Sequence, residues 1–102
     1  MMNTTLSPQE LQANASRAAG LLKMLANENR LMILCALIAG ELSVSDLNEL
    51  VPLSQSALSQ HLAALRDAEL VSTRRDSQKI YYRLNGEAAV RIIETLQSIY
   101  CP

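Results

Sequence analysis

The feature that most constrains this chain is a change of hydrophobic period near residue 70. Before it, apolar residues recur at helical spacing, as in Leu58, Leu62 and Leu65. After it, Ile80, Tyr82 and Leu84 alternate with Tyr81 and Arg83, the pattern of a strand with one buried face. The runs Leu70–Arg75 and Lys79–Leu84 are joined by the short polar connector Asp76-Ser77-Gln78, so together they predict a β-hairpin. Gly86 breaks the second run, and Val90, Ile93, Leu96 and Ile99 return to helical spacing between about Glu87 and Tyr100. A hairpin set between a run of helices and one closing helix admits few folds.

The residues upstream carry four helix starts. Ser7, Pro8 and Glu10 read as a cap, a first-turn proline and a capping-box acid, opening a helix to about Ala26 with Leu11, Ala15, Ala18, Ala19 and Leu22 along it. Gly20 weakens its middle. Asn27 and Glu28 open a second helix with the stripe Leu31, Leu34, Cys35 and Ile38, stopped by Gly40. Ser43 with Asp46 caps a third, on which Val44, Leu47 and Leu50 are expected to face inward. Pro52 ends it, and Ser54 opens a fourth after the turn Val51-Pro52-Leu53. Residues 1–7 are polar, unpatterned and expected to be disordered, leaving 8–102 as one domain. The expected order is α-α-α-α-β-β-α, mainly α with a β-hairpin.

Two helices around a three-residue turn, with the second slim and polar outside, suit insertion into a DNA major groove. At about 100° per residue, Leu58, Leu62 and Leu65 share one face of the fourth helix. Ser56, Ser59, Gln60 and Ala63 fall opposite, with Gln55 on the flank. Glutamine pairs bidentately with adenine, and serine bonds bases or phosphates. No carboxylate lies between Ser54 and Arg66, although the net charge is −1. His61 sits at the edge of the apolar stripe, suited to helix packing or the DNA interface; metal ligation would need partners that are not nearby. Between Arg66 and Arg83 stand five basic residues (Arg66, Arg74, Arg75, Lys79 and Arg83) against three acidic ones, whereas the rest of the chain holds four basic and seven acidic. Such an island suits phosphate contacts, which position a protein on DNA and make its binding salt-dependent. The DNA-contacting set is therefore Ser54, Gln55, Ser56, Ser59, Gln60, His61, Arg66, Arg74, Arg75, Lys79 and Arg83, and the expected partner is double-stranded DNA.

Composition bounds the rest. The chain has 102 residues, 49% of them hydrophobic, with neither Trp nor Phe, so its core must be aliphatic. For a chain this small the apolar surplus suggests a dimer. No apolar run is long enough to span a bilayer and no signal-peptide pattern opens the chain, so a cytoplasmic location without membrane contact is expected. A Cys-x-x-Cys pair and a Gly-rich cofactor loop are both missing, which argues against a thiol-redox enzyme; no catalytic residue or cofactor is expected. A winged-helix module that binds protein and not DNA stays open as a further class.

Across residues 15–101 the sequence resembles the ArsR/SmtB family of bacterial winged helix-turn-helix repressors. The resemblance is carried by Leu25–Leu34, Glu41–Leu47, Leu53–Leu62 and the glycine-free wing Arg74–Leu84. It implies a homodimer joined through the first and last helices. Metal sensors of the family often carry Cys-x-Cys at positions matching Ser43 and Ser45, and hydroxyls are poor ligands for thiophilic metals. Others use His and acidic pairs in the last helix, where Glu87–Tyr100 has no His. A metal-responsive repressor is therefore the alternative, with no metal site expected. By its residues alone, Cys35 could be a small core residue and Cys101 a tail thiol. The resemblance extends to a persulfide-responsive subgroup, through Cys35, Cys101 and the ending Ile99-Tyr-Cys-Pro102, and it implies a redox switch. There the two thiols are bridged by a disulfide or polysulfide when reactive sulfur species or an oxidant acts as inducer, and DNA is released. Cytosolic disulfides are commonly transient and sensory, which is consistent with such a role.

Overall fold

Helix starts in this chain are local events, and the computed structural model, which describes residues 7–101, shows the bonds behind them. Ser7 accepts from the Glu10 amide at the start of α1 (Pro8–Leu25). Asn27 accepts from the Asn29 and Arg30 amides at the start of α2 (Glu28–Leu37). Each such oxygen satisfies an amide that the first helical turn leaves without a partner. The disorder expected for residues 1–7 falls, Ser7 apart, outside the described residues. α1 runs through Gly20 without interruption.

After α2 come β1 (Leu42–Ser43), α3 (Val44–Leu50), α4 (Gln55–Asp67), β2 (Val71–Asp76), β3 (Lys79–Leu84) and α5 (Glu87–Tyr100). The expected four helices, hairpin and closing helix are all present. The addition is β1, which pairs antiparallel with β3 (Leu42 opposite Tyr82, Ser43 opposite Tyr81) and makes a three-stranded sheet in the order β1-β3-β2. Two residues are too short a run to show a period, so this strand leaves no sequence signal. The hairpin loop is one residue shorter than expected. Asp76 pairs with Lys79, leaving Ser77-Gln78 as the turn, with Ser77 at φ 57°. A left-handed residue in a two-residue loop matches the twist of the strands it joins.

The core is a single aliphatic cluster: Leu25, Ile33, Leu34 and Leu37 from the first two helices, Leu47 and Val51 around α3, Leu58, Leu62 and Leu65 from α4, Leu70 and Val71 entering the sheet, and Ala89 and Ile93 from α5. Two expected inward positions differ. Leu50 is 62% exposed because α3 is only seven residues long and turns Leu47, not its last residue, toward α2 and α4. Ile80 is 40% exposed because the tip of the hairpin projects past the core. α1 behaves differently from the other helices: positions 8–20 are exposed, and only Leu21, Met24 and Leu25 near its end reach the body. There the Arg30 side chain holds it, Nε donating to the Met24 carbonyl at 2.6 Å.

Candidate nucleic-acid interface and thiol pair

α3 and the turn that follows it are fixed at both ends. The Ser43 hydroxyl accepts from the Asp46 amide at 3.1 Å, and the Asp46 carboxylate accepts from the Ser43 amide at 3.2 Å. Those bonds hold the Asp46 carboxyl below its ordinary range. At the other end the Asn48 side-chain amide donates to the Leu53 carbonyl at 2.8 Å. Ser54 then accepts from the Ala57 amide at 3.2 Å, opening α4. α4 closes with paired bonds from Leu70 to the Leu65 carbonyl and from Glu69 to the Arg66 carbonyl, with Glu69 left-handed at φ 60°. That is a Schellman closure with glutamate where glycine is usual. It swings the chain directly into β2, so α4 and the hairpin are placed side by side.

Between α3, α4 and the hairpin lies an open groove of about 490 Å³. Of the residues anticipated for DNA contact, Gln55, Ser59 and Arg66 from α4 and Lys79 from β3 line it. Ser56 and Gln60 are exposed on α4 outside it, His61 is half-buried, and the Ser54 hydroxyl serves the helix cap. The strand register puts Arg75 on the same sheet face as Ile80 and Tyr82, with Arg74, Lys79 and Arg83 on the other. Arg83 donates through Nε to the Ser72 hydroxyl across the hairpin at 3.1 Å. Arg74, anticipated as a phosphate contact, is already engaged: its guanidinium bonds the Glu41 carboxylate at 2.6, 3.0 and 3.2 Å. Ser45, Ala63, Gln78 and Ile80 also line the groove and were not in the anticipated set. For Gln78 a signal existed, since it is polar and adjoins Lys79, and for Ala63, which helical spacing puts on the outward face of α4; Ser45 and Ile80 carried none.

The two thiols sit on helices that pack together, α2 and α5. Cys35 is half-buried against the core, and Cys101 is exposed as the residue closing α5. Both are free. Burial pushes the Cys35 thiol above its ordinary range, and the neighbouring Cys101 adds to that rise. The Ser43 oxygen is consumed by its cap, and no cluster of three or more His, Cys, Asp or Glu side chains suited to a metal exists among the described residues.

A tri-helical unit with a capped turn, followed by a hairpin lying beside its last helix, defines a winged helix-turn-helix, a DNA-reading fold. Residues 27–73 match the bacterial regulatory protein, arsR family, model. The transcriptional activator HlyU of Vibrio cholerae is 50% identical over 93 residues, 91% of this chain and 86% of that protein. The solved structure of reduced HlyU superposes with a TM-score of 0.88 at 49% identity, covering 92% of this chain and 99% of that one. The transcriptional repressor BigR of Xylella fastidiosa superposes with a TM-score of 0.85 at 36% identity, covering 95% and 99%. A possible ArsR-family regulator from Mycobacterium bovis, solved as a homodimeric winged helix-turn-helix DNA-binding domain, gives 0.77 at 31% identity, covering 96% and 90%. The chain belongs to the ArsR family. It is a DNA-binding transcriptional regulator, and the relatives it matches are named as regulators and not as enzymes.

Proposed function

We propose that this regulator binds a pseudo-palindromic operator as a homodimer and releases it when Cys35 and Cys101 are joined by sulfur. The observation that carries the DNA half is the convergence of Gln55, Ser59 and Arg66 with Lys79 on one open groove. In this reading Gln55, Ser56, Ser59 and Gln60 meet base edges, and His61 lies at the margin. Ser54 acts through its cap, orienting the start of α4. Arg66, Arg75, Lys79 and Arg83 meet phosphates. Half-sites then lie about one helical turn apart, or a multiple of it. The dimer is supported by apolar side chains left outside on α1 and α5, namely Leu11, Leu22, Ile99 and Tyr100. None of the helices among the described residues is long and apolar enough to cross a membrane, and we place the protein with its DNA in the cytoplasm.

The thiol half rests on two free cysteines on packed helices, with different surroundings. The thiolate is the nucleophile, and burial disfavours it at Cys35 while Cys101 stands in solvent. Cys101 accordingly attacks the outer sulfur of a small-molecule persulfide, expelling the small thiolate and becoming a persulfide. The Cys35 thiolate then attacks Cys101 Sγ, forming a disulfide and releasing hydrosulfide. If Cys35 has itself gained a sulfur, the same displacement leaves a three-sulfur bridge. Either bond ties α2 to the end of α5, one of the two helices proposed to form the dimer interface. The spacing of the reading helices shifts as a result. A coupling of about 1–3 kcal/mol would lower operator affinity roughly five- to 150-fold. That HlyU has been solved as a reduced protein is in keeping with this reading.

Intact mass and operator binding, measured together after polysulfide treatment, test it. The wild type is expected to lose DNA affinity as a bridge between the two cysteines appears. Cys101→Ser is expected to bind DNA normally and to gain no sulfur quickly, whereas Cys35→Ser stops at an unbridged persulfide and keeps its DNA. Unchanged release from Cys35→Ser would overturn the switch. Stoichiometric zinc binding with coupled release would favour the metal-responsive reading.

A further inference from the structure

Glu41 is acidic, stands immediately before β1, and was drawn into no role by the sequence. Its carboxylate receives both Arg74 Nε and Nη2, a bidentate contact between residues 33 apart in the chain. The Arg74 guanidinium also lies over the Tyr81 ring at 4.6 Å. Asp76 approaches the same guanidinium at 3.9 Å. In the sheet, Ser43 is opposite Tyr81, and Tyr81 is opposite Arg74. The side chain from β2 therefore crosses over β3 to the residue leading into β1, strapping all three strands on the face away from the core. Hydrogen bonding to each other pulls the Glu41 carboxyl down and the Arg74 guanidinium up.

We infer that Glu41 is a wing-positioning residue for DNA binding, acting through Arg74, and that Arg74 is not a phosphate contact. This rests on the reading of the groove between α4 and the hairpin as the DNA interface. β1 runs directly into Ser43, the cap of α3, so the strap ties the hairpin to the first helix of the reading unit. The hairpin tip has little else to hold it, since Lys79 and Ile80 are both exposed. An exposed ion pair contributes little to stability, but a bidentate one stacked on an aromatic ring has a defined geometry. A guanidinium facing two carboxylates has its charge already matched and gains little from a phosphate.

The sign of the effect separates positioning from charge. Glu41→Gln removes a negative charge from a protein that binds a polyanion, so electrostatics alone would tighten binding. The strap requires the opposite. With a duplex enriched by the wild-type protein from a randomised pool, Glu41→Gln is expected to weaken binding about fivefold or more with an unchanged salt slope. Arg74→Gln should do the same, and the double variant should be no worse than either. Arg75→Ala is the contrast, losing about 0.9 from the salt slope as one phosphate contact goes. Without DNA, the Tyr81 and Tyr82 amides of Glu41→Gln should exchange hydrogen faster. Equal or tighter DNA binding by Glu41→Gln, or unchanged amide exchange, overturns the inference, as does a slope loss in Arg74→Gln. A wild type that enriches no duplex overturns the DNA-interface reading itself, and this role with it.

Discussion

The two ends of this molecule treat apolar side chains in opposite ways. Around α3 and α4 the leucines are inside except Leu50 at the end of α3: Leu47, Leu58, Leu62 and Leu65 are fully buried, and the outer surface is polar and charged, with Ser45, Ser56, Ser59, Gln55, Gln60 and Arg66 beside the acidic Asp46, Glu49 and Asp67. Along α1 and the end of α5 they are outside, with Leu22 57% and Ile99 59% exposed. Exposed leucines are common singly, but a whole helix that touches its own body only near its end is not. The difference teaches that the core of the reading unit is complete within one chain, while α1 and the end of α5 carry apolar side chains that their own chain leaves uncovered. The same split separates the cysteines from the groove, since both thiols belong to the α2–α5 side and none of the groove residues does.

That contrast can be broken in three places. The largest effect should come from Leu62→Ala, where a cavity opens in the shared core of the reading unit; a loss of about 2–5 kcal/mol is expected in chemical denaturation. A loss below about 1 kcal/mol would mean that α4 is not held by its buried stripe. Next, Leu22→Asp and Ile99→Asp should each weaken self-association about tenfold or more, by light scattering across a dilution series. Helical circular dichroism should be retained, because neither side chain is in the core. If both variants stay associated, the dimer face lies elsewhere. The smallest effect is a gain. Glu69→Gly should stabilise the fold by up to about 1 kcal/mol, because the left-handed residue closing α4 loses its Cβ penalty. Unfolding midpoints would register it, and a lower midpoint would show that the Glu69 side chain is needed there.

The reading unit was legible because its signals are short-range. Ser43 with Asp46, and Ser54 before Ala57, are capping patterns spanning three residues, and the structure uses both. The hairpin followed from alternation, with its boundaries within a residue of those expected. Gln55, Ser59, Arg66 and Lys79 stand within the larger set anticipated for DNA contact, but which of that set share the groove was not legible, since Lys79 comes from β3 and Ser56 and Gln60 lie outside it. The bond from Arg74 to Glu41 left no trace in the sequence, because composition sees a charge and not the partner that neutralises it. Leu50 was misassigned because helical spacing shows which residues align, and a seven-residue helix has no room for a second buried turn. The pairing of Cys35 with Cys101 came from family resemblance and had no signal of its own in spacing or period.

By itself, then, the sequence determined where each helix starts, which face of α4 is buried, that a hairpin follows it, and which residues look outward. Caps and periodicities act over one to four residues, so local chemistry is enough to settle them. Only the tertiary structure decided that Leu42 and Ser43 form a third strand, that Arg74 answers to Glu41, and that α1 stands away from its own core. Those outcomes join residues tens of positions apart, and which of several possible partners a side chain meets is settled by packing.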